Sequence, residues 1–307
     1  MDEFELIDQI TARFTLGPDV LLGPGDDAAQ LAVHHASVLA STDILVENVH
    51  FRQTWTTPYD LGRRAAAQNL ADITAMGCTG TALLVAVAAP RSTPPEWFTE
   101  LARGLQDECA LVGASVVGGD LAAAEAIVVS VTVLGDPQGA PPVTRAGARV
   151  GDTVAVAGRL GWSATGLLAH ERDVDVDPAL LAAYRAPEPP YAAGPAGRAG
   201  GAHAMIDVSD GLLADAGHIA DASSVTLDLD SVALAPDAIV AAASDILGVD
   251  PMIAVLTGGE DHAILATFPG PVPSPFRAIG RVVQRGGHAV LVDGAPHAGR
   301  KGHDHFG

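Results

Sequence analysis

The sequence predicts a two-domain α/β protein in which strands and helices are arranged in α+β layers. The chain has 307 residues, which suits two domains of ordinary size better than a single core. In the first half, apolar strand-like runs alternate with amphipathic helical patterns. The segment 136–142 is rich in Pro and Gly and is the best linker candidate. We therefore expect domains at 1–140 and 141–307.

The acidic composition restricts the kinds of partner. There are 37 acidic and 17 basic residues, for a formal charge of −20, so nucleic acids and anionic membranes would be repelled and metal cations attracted. Lys301 is the only lysine in the sequence. This excludes the P-loop lysine, the protein-kinase strand lysine and a Schiff-base lysine. Phosphate binding would then depend on metals, arginines and backbone N–H groups.

Cysteine content and hydropathy indicate the cellular compartment. Cys78 and Cys109 form neither a CxxC motif nor a disulfide framework, which favours a reducing environment. The N-terminus is acidic rather than basic, and no apolar run reaches the roughly 20 residues that a spanning helix needs. We expect a cytoplasmic protein without a membrane partner.

Periodicity predicts the elements of the first half. Residues 2–14 carry apolar side chains at helical spacing. The run 38–43 predicts a buried strand with Asp43 at its end, where ligands commonly bind. The pattern over 58–76 predicts a helix with Asp72 on the inward face, so this carboxylate must meet a cation or border a polar cleft. We further expect strands at 81–89, 114–117 and 126–134 and a helix at 94–112.

The second half contains similar signals. Residues 152–157 predict a strand, and the residues that follow, up to His170, predict a helix. The strand predicted at 204–208 is followed by a helix, for which Ser209 is a suitable N-cap. The stretch 187–201 is not assigned to one element. Further strands are expected at 225–229, 263–268, 278–283 and 288–292.

Acidic residues recur at turns and at the ends of apolar segments. One such motif alone is usually only a turn, because Asp bonds its own backbone and Gly accepts positive φ. The set is harder to explain structurally, since carboxylates that meet without cations would repel each other. Oxygen ligands favour Mg²⁺, Mn²⁺ or Ca²⁺, and the scattered histidines do not predict zinc, although His303 and His305 are close in sequence. The acidic motifs are at 23–29, 41–43, 69–72, 118–120, 207–211 and 258–261. We expect them to converge on a site for several Mg²⁺ ions and a nucleotide's phosphates.

Taken together, these motifs resemble the thiamine-monophosphate kinase family. That family belongs to the ATP-binding superfamily typified by aminoimidazole ribonucleotide synthetase. The resemblance covers essentially the whole chain in order; it departs at Ala71, where Ser is common, and at residues 188–190, which replace a stretch often richer in Arg. The motifs that carry it are GPGDDAA at 23, STD at 41 with His50-Phe51, NLADITAMG at 69, GGD at 118, DVSDGL at 207, GGED at 258 and the terminal DHF.

The resemblance implies a fold, a reaction and a set of site residues. The fold would be the two-domain aminoimidazole ribonucleotide synthetase-like one. Domain 1–140 would bind ATP and Mg²⁺ and pair in a homodimer, and domain 141–307 would complete the nucleotide and substrate site. The reaction would be ATP-dependent, in-line phosphorylation of thiamine monophosphate to thiamine diphosphate, without a covalent nucleophile. Carried onto matching positions, Mg²⁺ would be held by Asp27, Asp43, Asp72, Asp120, Asp207 and Asp210, with oxygens from Ser41 and Thr42; ATP would contact Gly119, Asp120, Arg145 and Ser209; and thiamine phosphate would contact His50, Glu260 and Phe306.

This assignment is chemically sensible. The acceptor phosphate has a second pKa of about 6, so at neutral pH it is mostly a dianion and needs little help from a general base. The obstacle is bringing this anion against a triphosphate, which several Mg²⁺ ions would relieve. Glu260 suits the cationic thiazolium or the aminopyrimidine, and Phe306 offers a π surface.

Other functions remain open at this stage. Within the superfamily they are aminoimidazole ribonucleotide synthetase, selenophosphate synthetase and hydrogenase-maturation proteins. The first cysteine is Cys78, whereas selenophosphate synthetase needs a reactive Cys or selenocysteine earlier, and the chain ends in DHFG rather than in a Cys-bearing tail. A non-catalytic metal-binding or nucleotide-sensing protein is the alternative from another class.

Overall fold

The computed structural model describes residues 3–24, 28–299 and 302. Its contacts divide the chain into two compact units, which we describe separately. Unit 1 comprises Met1–Ile73 and Cys78–Ala140, and unit 2 comprises Thr74–Gly77 and Pro141–Gly307.

Unit 1 is built on a four-stranded mixed sheet. In chain order its elements are α1 (Glu3–Thr11), β1 (Val20–Leu22), β2 (Gln30–Leu31), β3 (Leu39–Val46), α2 (Pro58–Ala75), β4 (Thr79–Ala89), α3 (Pro95–Ala110), β5 (Ser115–Ala123) and β6 (Val128–Asp136). The strand order is β3-β6-β4-β5; β4 and β5 are parallel and the other pairs antiparallel. β1 and β2 form a separate antiparallel pair.

Helix α2 packs on one face of this sheet. Leu70 and Ile73 lie where a Cβ would stand on Gly80 and Gly135, so two glycines on adjacent strands make room for two large helix side chains. Both Leu70 and Ile73 are about 1% exposed. The predicted helix over 58–76 is confirmed within one residue, and its apolar stripe covers the sheet.

Two strands of unit 1 are longer than predicted. β3 pairs with β6 residue for residue from Leu39 to Val46, so Asp43 lies within the strand and not at its end. β5 continues to Ala123, because its parallel ladder with β4 runs on through Gly119 and Asp120. The prediction that these polar residues end their strands was wrong, because the ladders are formed by backbone groups and continue past Asp43 and Asp120 whatever their side chains. The first helix ends at Thr11, earlier than expected.

Unit 2 is built on a six-stranded sheet with helices. Its elements are β7 (Thr153–Ala157), α4 (Trp162–Arg172), α5 (Pro178–Arg185), α6 (Ala193–Ala199), β8 (Ala204–Val208), α7 (Leu212–Ser223), β9 (Val225–Leu229), α8 (Ala238–Leu247), α9 (Pro251–Thr257), β10 (Ala263–Phe268), β11 (Arg277–Gln284) and β12 (Val290–Val292). The strand order is β12-β9-β11-β7-β10-β8, and only the β12–β9 pair is parallel. All predicted strands of this half are present, and α5, α6, α8 and α9 were not predicted.

The antiparallel pairing brings three connections to one edge of this sheet. β10 begins beside the end of β8, where Ala263 pairs with Val208, and beside the end of β7, where Ile264 pairs with Ala157. The loops 158–161, 209–211 and 258–262 therefore meet at the same edge. Two of these loops carry predicted site residues.

Within residues 3–24, 28–299 and 302, no single helix is both long and apolar enough to span a membrane; the pair α8 and α9, which is bent by 117°, passes only on combined length and composition.

Candidate active site

Two predicted site residues cannot be placed. Asp27 and Phe306 lie outside the described residues, so their assignments remain predictions.

Ser41, Asp43 and Asp72 are on the same side of the unit 1 sheet. Side chains alternate along β3, so Ser41 and Asp43 share one face. Ser41 Oγ donates a hydrogen bond of 2.6 Å to Asp72 Oδ2 on α2, which packs on this face. Asp72 thus faces the sheet as predicted, and its hydrogen-bond partner there is Ser41. The three side chains offer only hard oxygen ligands on half-buried positions.

Thr42 and Asp120 do not join this group within one chain. The strand register aligns Asp43 with Val131, Val85 and Gly119, whereas Asp120 falls in the next row with Ile44. Alternation therefore places Asp120 on the opposite face from Asp43. β3, which carries Asp43, and β5, which carries Asp120, are also separated by three inter-strand distances in the order β3-β6-β4-β5, or about 14 Å.

The Thr42 side chain is likewise directed away from Asp43. Its Oγ1 donates to the carbonyl oxygen of Val131 at 2.9 Å and accepts from Thr132 Oγ1 at 3.1 Å.

Gly119 and His50 each have a close contact with a backbone group of another residue. A Cβ at Gly119 would collide with the carbonyl oxygen of Val85, so glycine permits the close approach of β5 to β4. His50 lies in the loop after β3, and its Nδ1 accepts a hydrogen bond of 3.0 Å from the Val46 N–H. In the neutral imidazole the proton is then on Nε2, which makes Nε2 a donor.

In unit 2, Asp207, Ser209, Asp210 and Glu260 are brought together at the sheet edge. The N–H of Glu260 donates to the Ser209 carbonyl oxygen at 2.8 Å, continuing the β8–β10 ladder into the loops. Asp207 is 4% exposed, and its Oδ2 lies 3.1 Å from His262 Nδ1. Glu260 and His262 both have positive φ, +67° and +50°, so the Glu260 loop is tightly turned here. These contacts hold the Asp207 and Glu260 segments in fixed register.

Asp215 is a site residue that the sequence analysis missed. The helix α7 begins after Gly211, at φ +125°, and Ser209 is not its N-cap as predicted. Instead, Asp215 in the first turn of α7 accepts two hydrogen bonds of 3.0 Å at Oδ2, from the N–H groups of Asp210 and Gly211. Burial, followed by the nearby carboxylates of Asp207 and Asp210, raises the pKa of Asp215 to about 7. The signal in the sequence was an acid in the first turn of a helix preceded by an acidic loop.

Asp261 is a second missed residue, and it anchors the Glu260 loop. Its Oδ2 accepts from the Gly161 N–H at 2.5 Å and its Oδ1 from the Ser163 N–H at 2.8 Å, at the N-terminus of α4. Burial raises the pKa of Asp261 to about 7, although the N–H donors act in the opposite direction. Asp261 therefore ties the Glu260 loop to the 158–161 connection.

We expect Asp261→Ala to lower the free energy of unfolding by about 2–4 kcal/mol at pH 5, because two buried N–H groups lose their acceptor. A raised folded pKa means that the carboxyl group's contribution to stability is complete below its unfolded pKa of about 4 and is lost as the pH rises from there through the folded pKa of about 7. The difference between wild type and variant should thus be smaller at pH 8 than at pH 5.

Urea denaturation at both pH values measures this difference, with Asp245→Ala on the exposed side of α8 as the control. A difference that stays constant or grows towards pH 8 would show that Asp261 is ionised throughout, contrary to the raised pKa.

Arg145 lies away from the unit 2 edge. Its carbonyl oxygen accepts from Ser223 Oγ at 3.2 Å, which places it at the C-terminal end of α7. Asp210 precedes the N-terminal end of this 12-residue helix, about 18 Å away along the axis. The exposed side chain of Arg145 therefore does not contact Ser209 or Asp210.

Comparisons with known proteins identify the fold and the family. Residues 25–136 match the family described as AIR synthase related protein, N-terminal domain. Over 308 aligned residues the chain is 47% identical to the thiamine-monophosphate kinase of Mycobacterium tuberculosis, covering 100% of this chain and 92% of that relative.

Solved structures give the same result. The thiamine-monophosphate kinase of Stenotrophomonas maltophilia K279a has a TM-score of 0.83 at 30% identity, with 96% of this chain and 98% of that chain covered. The structure described as "AaThiL complexed with AMPPCP and TMP" has a TM-score of 0.82 at 31% identity, with coverage of 99% and 97%. The predicted α/β, aminoimidazole ribonucleotide synthetase-like fold is confirmed. Because both sequence and fold agree over nearly the full length, the chain belongs to the thiamine-monophosphate kinase family.

Proposed function

We propose that this protein transfers the γ-phosphoryl group of ATP to thiamine monophosphate, giving thiamine diphosphate and ADP. The observation that carries the proposal is the 31% identical neighbour complexed with AMPPCP and TMP, whose fold covers 99% of this chain. AMPPCP is an ATP analogue, so that neighbour holds both classes of substrate. Dependence on ATP favours a cytoplasmic location.

The donor set fits Mg²⁺. In unit 1, Ser41, Asp43 and Asp72 present hydroxyl and carboxylate oxygens on one face, and a hydrogen bond already joins two of them. In unit 2, Asp207 and Asp210 present carboxylates at one sheet edge. We assign several Mg²⁺ ions to these oxygens and to Asp27 and Asp120. Bound Mg²⁺ would neutralise charge on both phosphate groups and favour in-line transfer.

The chain's own residues have separate tasks in this account. The oxygens of Asp43 and Asp72 bind cations and so concentrate positive charge where two anions must meet. Buried His262 fixes the orientation of the Asp207 carboxylate through a contact of 3.1 Å. Glu260 carries a negative charge suited to the cationic thiazolium, and its backbone is held by the Ser209 carbonyl. His50, with its donor Nε2, is assigned to the thiamine phosphate, and Gly119, Arg145 and Ser209 to ATP.

We further propose that the protein is a homodimer that pairs through the open face of the unit 1 sheet. This face carries Ile44 and Leu84, which are 51% and 42% exposed, and also Thr42 and Asp120. Exposed apolar side chains on a sheet face are typical of an interface. Since Asp43 and Asp120 are about 14 Å apart and on opposite faces of the sheet within one chain, we infer that the Asp120 of a second copy reaches the site containing Asp43 around β3, which is an edge strand.

Product formation tests the reaction directly. Purified protein incubated with ATP, Mg²⁺ and thiamine monophosphate should produce thiamine diphosphate and ADP in equal amounts, measured by chromatography. Removing Mg²⁺ with EDTA should stop the reaction, and excess Mg²⁺ should restore it. ATP binding without product under these conditions would instead favour the nucleotide-sensing alternative.

Phe306→Ala should raise the apparent KM for thiamine monophosphate roughly tenfold, which corresponds to the loss of a desolvated cation–π contact. Steady-state kinetics at saturating ATP would measure this change. The kcat should remain within about twofold, because the contact is made equally in the ground state and the transition state. An unchanged KM would remove Phe306 from the substrate site.

A further inference from the structure

Gly302 lies against the start of α7 and the loop that precedes it. A Cβ on Gly302 would stand 2.5 Å from the Asp210 carbonyl oxygen, 2.8 Å from the Ala214 Cβ and 3.2 Å from the Asp210 carbonyl carbon. Two of these three atoms belong to the backbone, so they cannot rotate aside as the end of a flexible side chain can. Only glycine therefore allows the chain to approach Asp210 this closely.

The loop 209–211 is held in place by other groups. Asp215 accepts two hydrogen bonds of 3.0 Å from backbone N–H groups of this loop. The Glu260 N–H donates a further hydrogen bond of 2.8 Å to the Ser209 carbonyl oxygen. Because the loop is fixed by these bonds, a side chain added at Gly302 would displace residue 302 and not the loop.

Two residues assigned to thiamine phosphate are close in sequence to residues that contact Asp210. Gly259, which precedes Glu260, packs on the Asp210 backbone, since a Cβ there would lie 3.3 Å from the Asp210 carbonyl carbon. Phe306 is four residues beyond Gly302 in the sequence, so their Cα atoms are at most about 14 Å apart. The contact at Gly302 thus limits how far Phe306 can be from the Glu260 loop.

We propose that Gly302 is a positioning residue for thiamine monophosphate. The absence of a side chain lets the chain lie against Asp210, and this contact sets the reach of Phe306 to the substrate. The inference rests on the proposed function and on the assignment of Phe306 to the substrate site. Gly302 acts through Phe306, so its substitution should change the binding of thiamine monophosphate and not that of ATP or Mg²⁺.

Steady-state kinetics of Gly302→Ala tests this role. We expect the KM for thiamine monophosphate to rise roughly tenfold, as for Phe306→Ala. The kcat, the KM for ATP and the Mg²⁺ concentration that gives half-maximal rate should stay within about twofold of wild type. Gly287→Ala is the matched control, because a Cβ there would have nothing within 4 Å, and it should have wild-type values. An unchanged KM for thiamine monophosphate in Gly302→Ala, or an altered Mg²⁺ requirement, would overturn the proposal.

A double variant separates positioning from a general structural role. If Gly302 acts through Phe306, then Gly302→Ala combined with Phe306→Ala should have the KM of Phe306→Ala alone. Independent effects would instead multiply to about a hundredfold and would overturn the proposal. KM does not depend on the concentration of active enzyme, so incomplete folding of a variant would lower only the apparent kcat.

The same assays separate this inference from the kinase proposal on which it rests. Wild-type protein that forms no thiamine diphosphate would overturn both. Wild-type turnover with an unchanged KM in Gly302→Ala would overturn only the role of Gly302.

Discussion

Asp43→Asn should lower kcat for thiamine diphosphate formation by about 10²–10³-fold while leaving the protein folded. The substitution keeps the shape of the side chain but removes the charge that would hold a cation between two phosphate groups, and lost electrostatic stabilisation of this kind has that magnitude. Asp43 lies in a regular ladder with β6 through backbone groups, which the substitution does not alter. Steady-state kinetics and thermal unfolding of the same preparation measure the two effects.

Asp8→Asn is the matched control for this variant. Asp8 is an exposed acid on α1 of the same unit, so the change in net charge is identical. The control should retain wild-type turnover. If Asp43→Asn lost turnover only in proportion to its loss of thermal stability, Asp43 would have a structural role and not a catalytic one.

A heterodimer of two inactive chains should recover activity. Asp43→Asn and Asp120→Asn homodimers should each be nearly inactive, because every site lacks one cation ligand. A heterodimer with one chain of each kind would contain one site with both substitutions and one intact site. We therefore expect about half of the wild-type turnover per dimer from tandem-affinity-purified heterodimers.

This result depends on the strand order of unit 1. Asp43 is on β3 and Asp120 on β5, at opposite edges of the sheet order β3-β6-β4-β5 and in different rows of the register. An inactive heterodimer would mean that each chain uses its own Asp43 and Asp120 at separate ions. Chains that form no heterodimer would contradict the proposed pairing. Wild-type and Asp8→Asn chains purified in the same way provide the reference.

Periodicity and apolar patterning predicted most of the fold. The strands over 153–157, 204–208, 225–229 and 263–268 match almost residue for residue, because each is a short apolar run bounded by Gly, Pro or polar residues. The helices α8 and α9 were missed because their apolar sequences lack a polar stripe that would show a helical period.

The site was predicted as a set of residue types, not as an arrangement. Sequence motifs selected Ser41, Asp43 and Asp72, and the structure brings Ser41 and Asp72 into contact. The motifs could not show that Asp120 lies on the opposite face of the sheet from Asp43, since this depends on the length and pairing of β5. Asp215 and Asp261 were missed because their importance lies in backbone N–H groups that only the folded loops direct towards them.

The location of divalent ions tests the central claim most directly. Crystals of the protein grown with AMPPCP and Mn²⁺ would show the ions by anomalous scattering. We predict peaks coordinated by Asp43 and Asp72 and further peaks coordinated by Asp207 and Asp210, next to the analogue's phosphates. Phosphates bound with no Mn²⁺ peak at any of these four carboxylates would contradict the account.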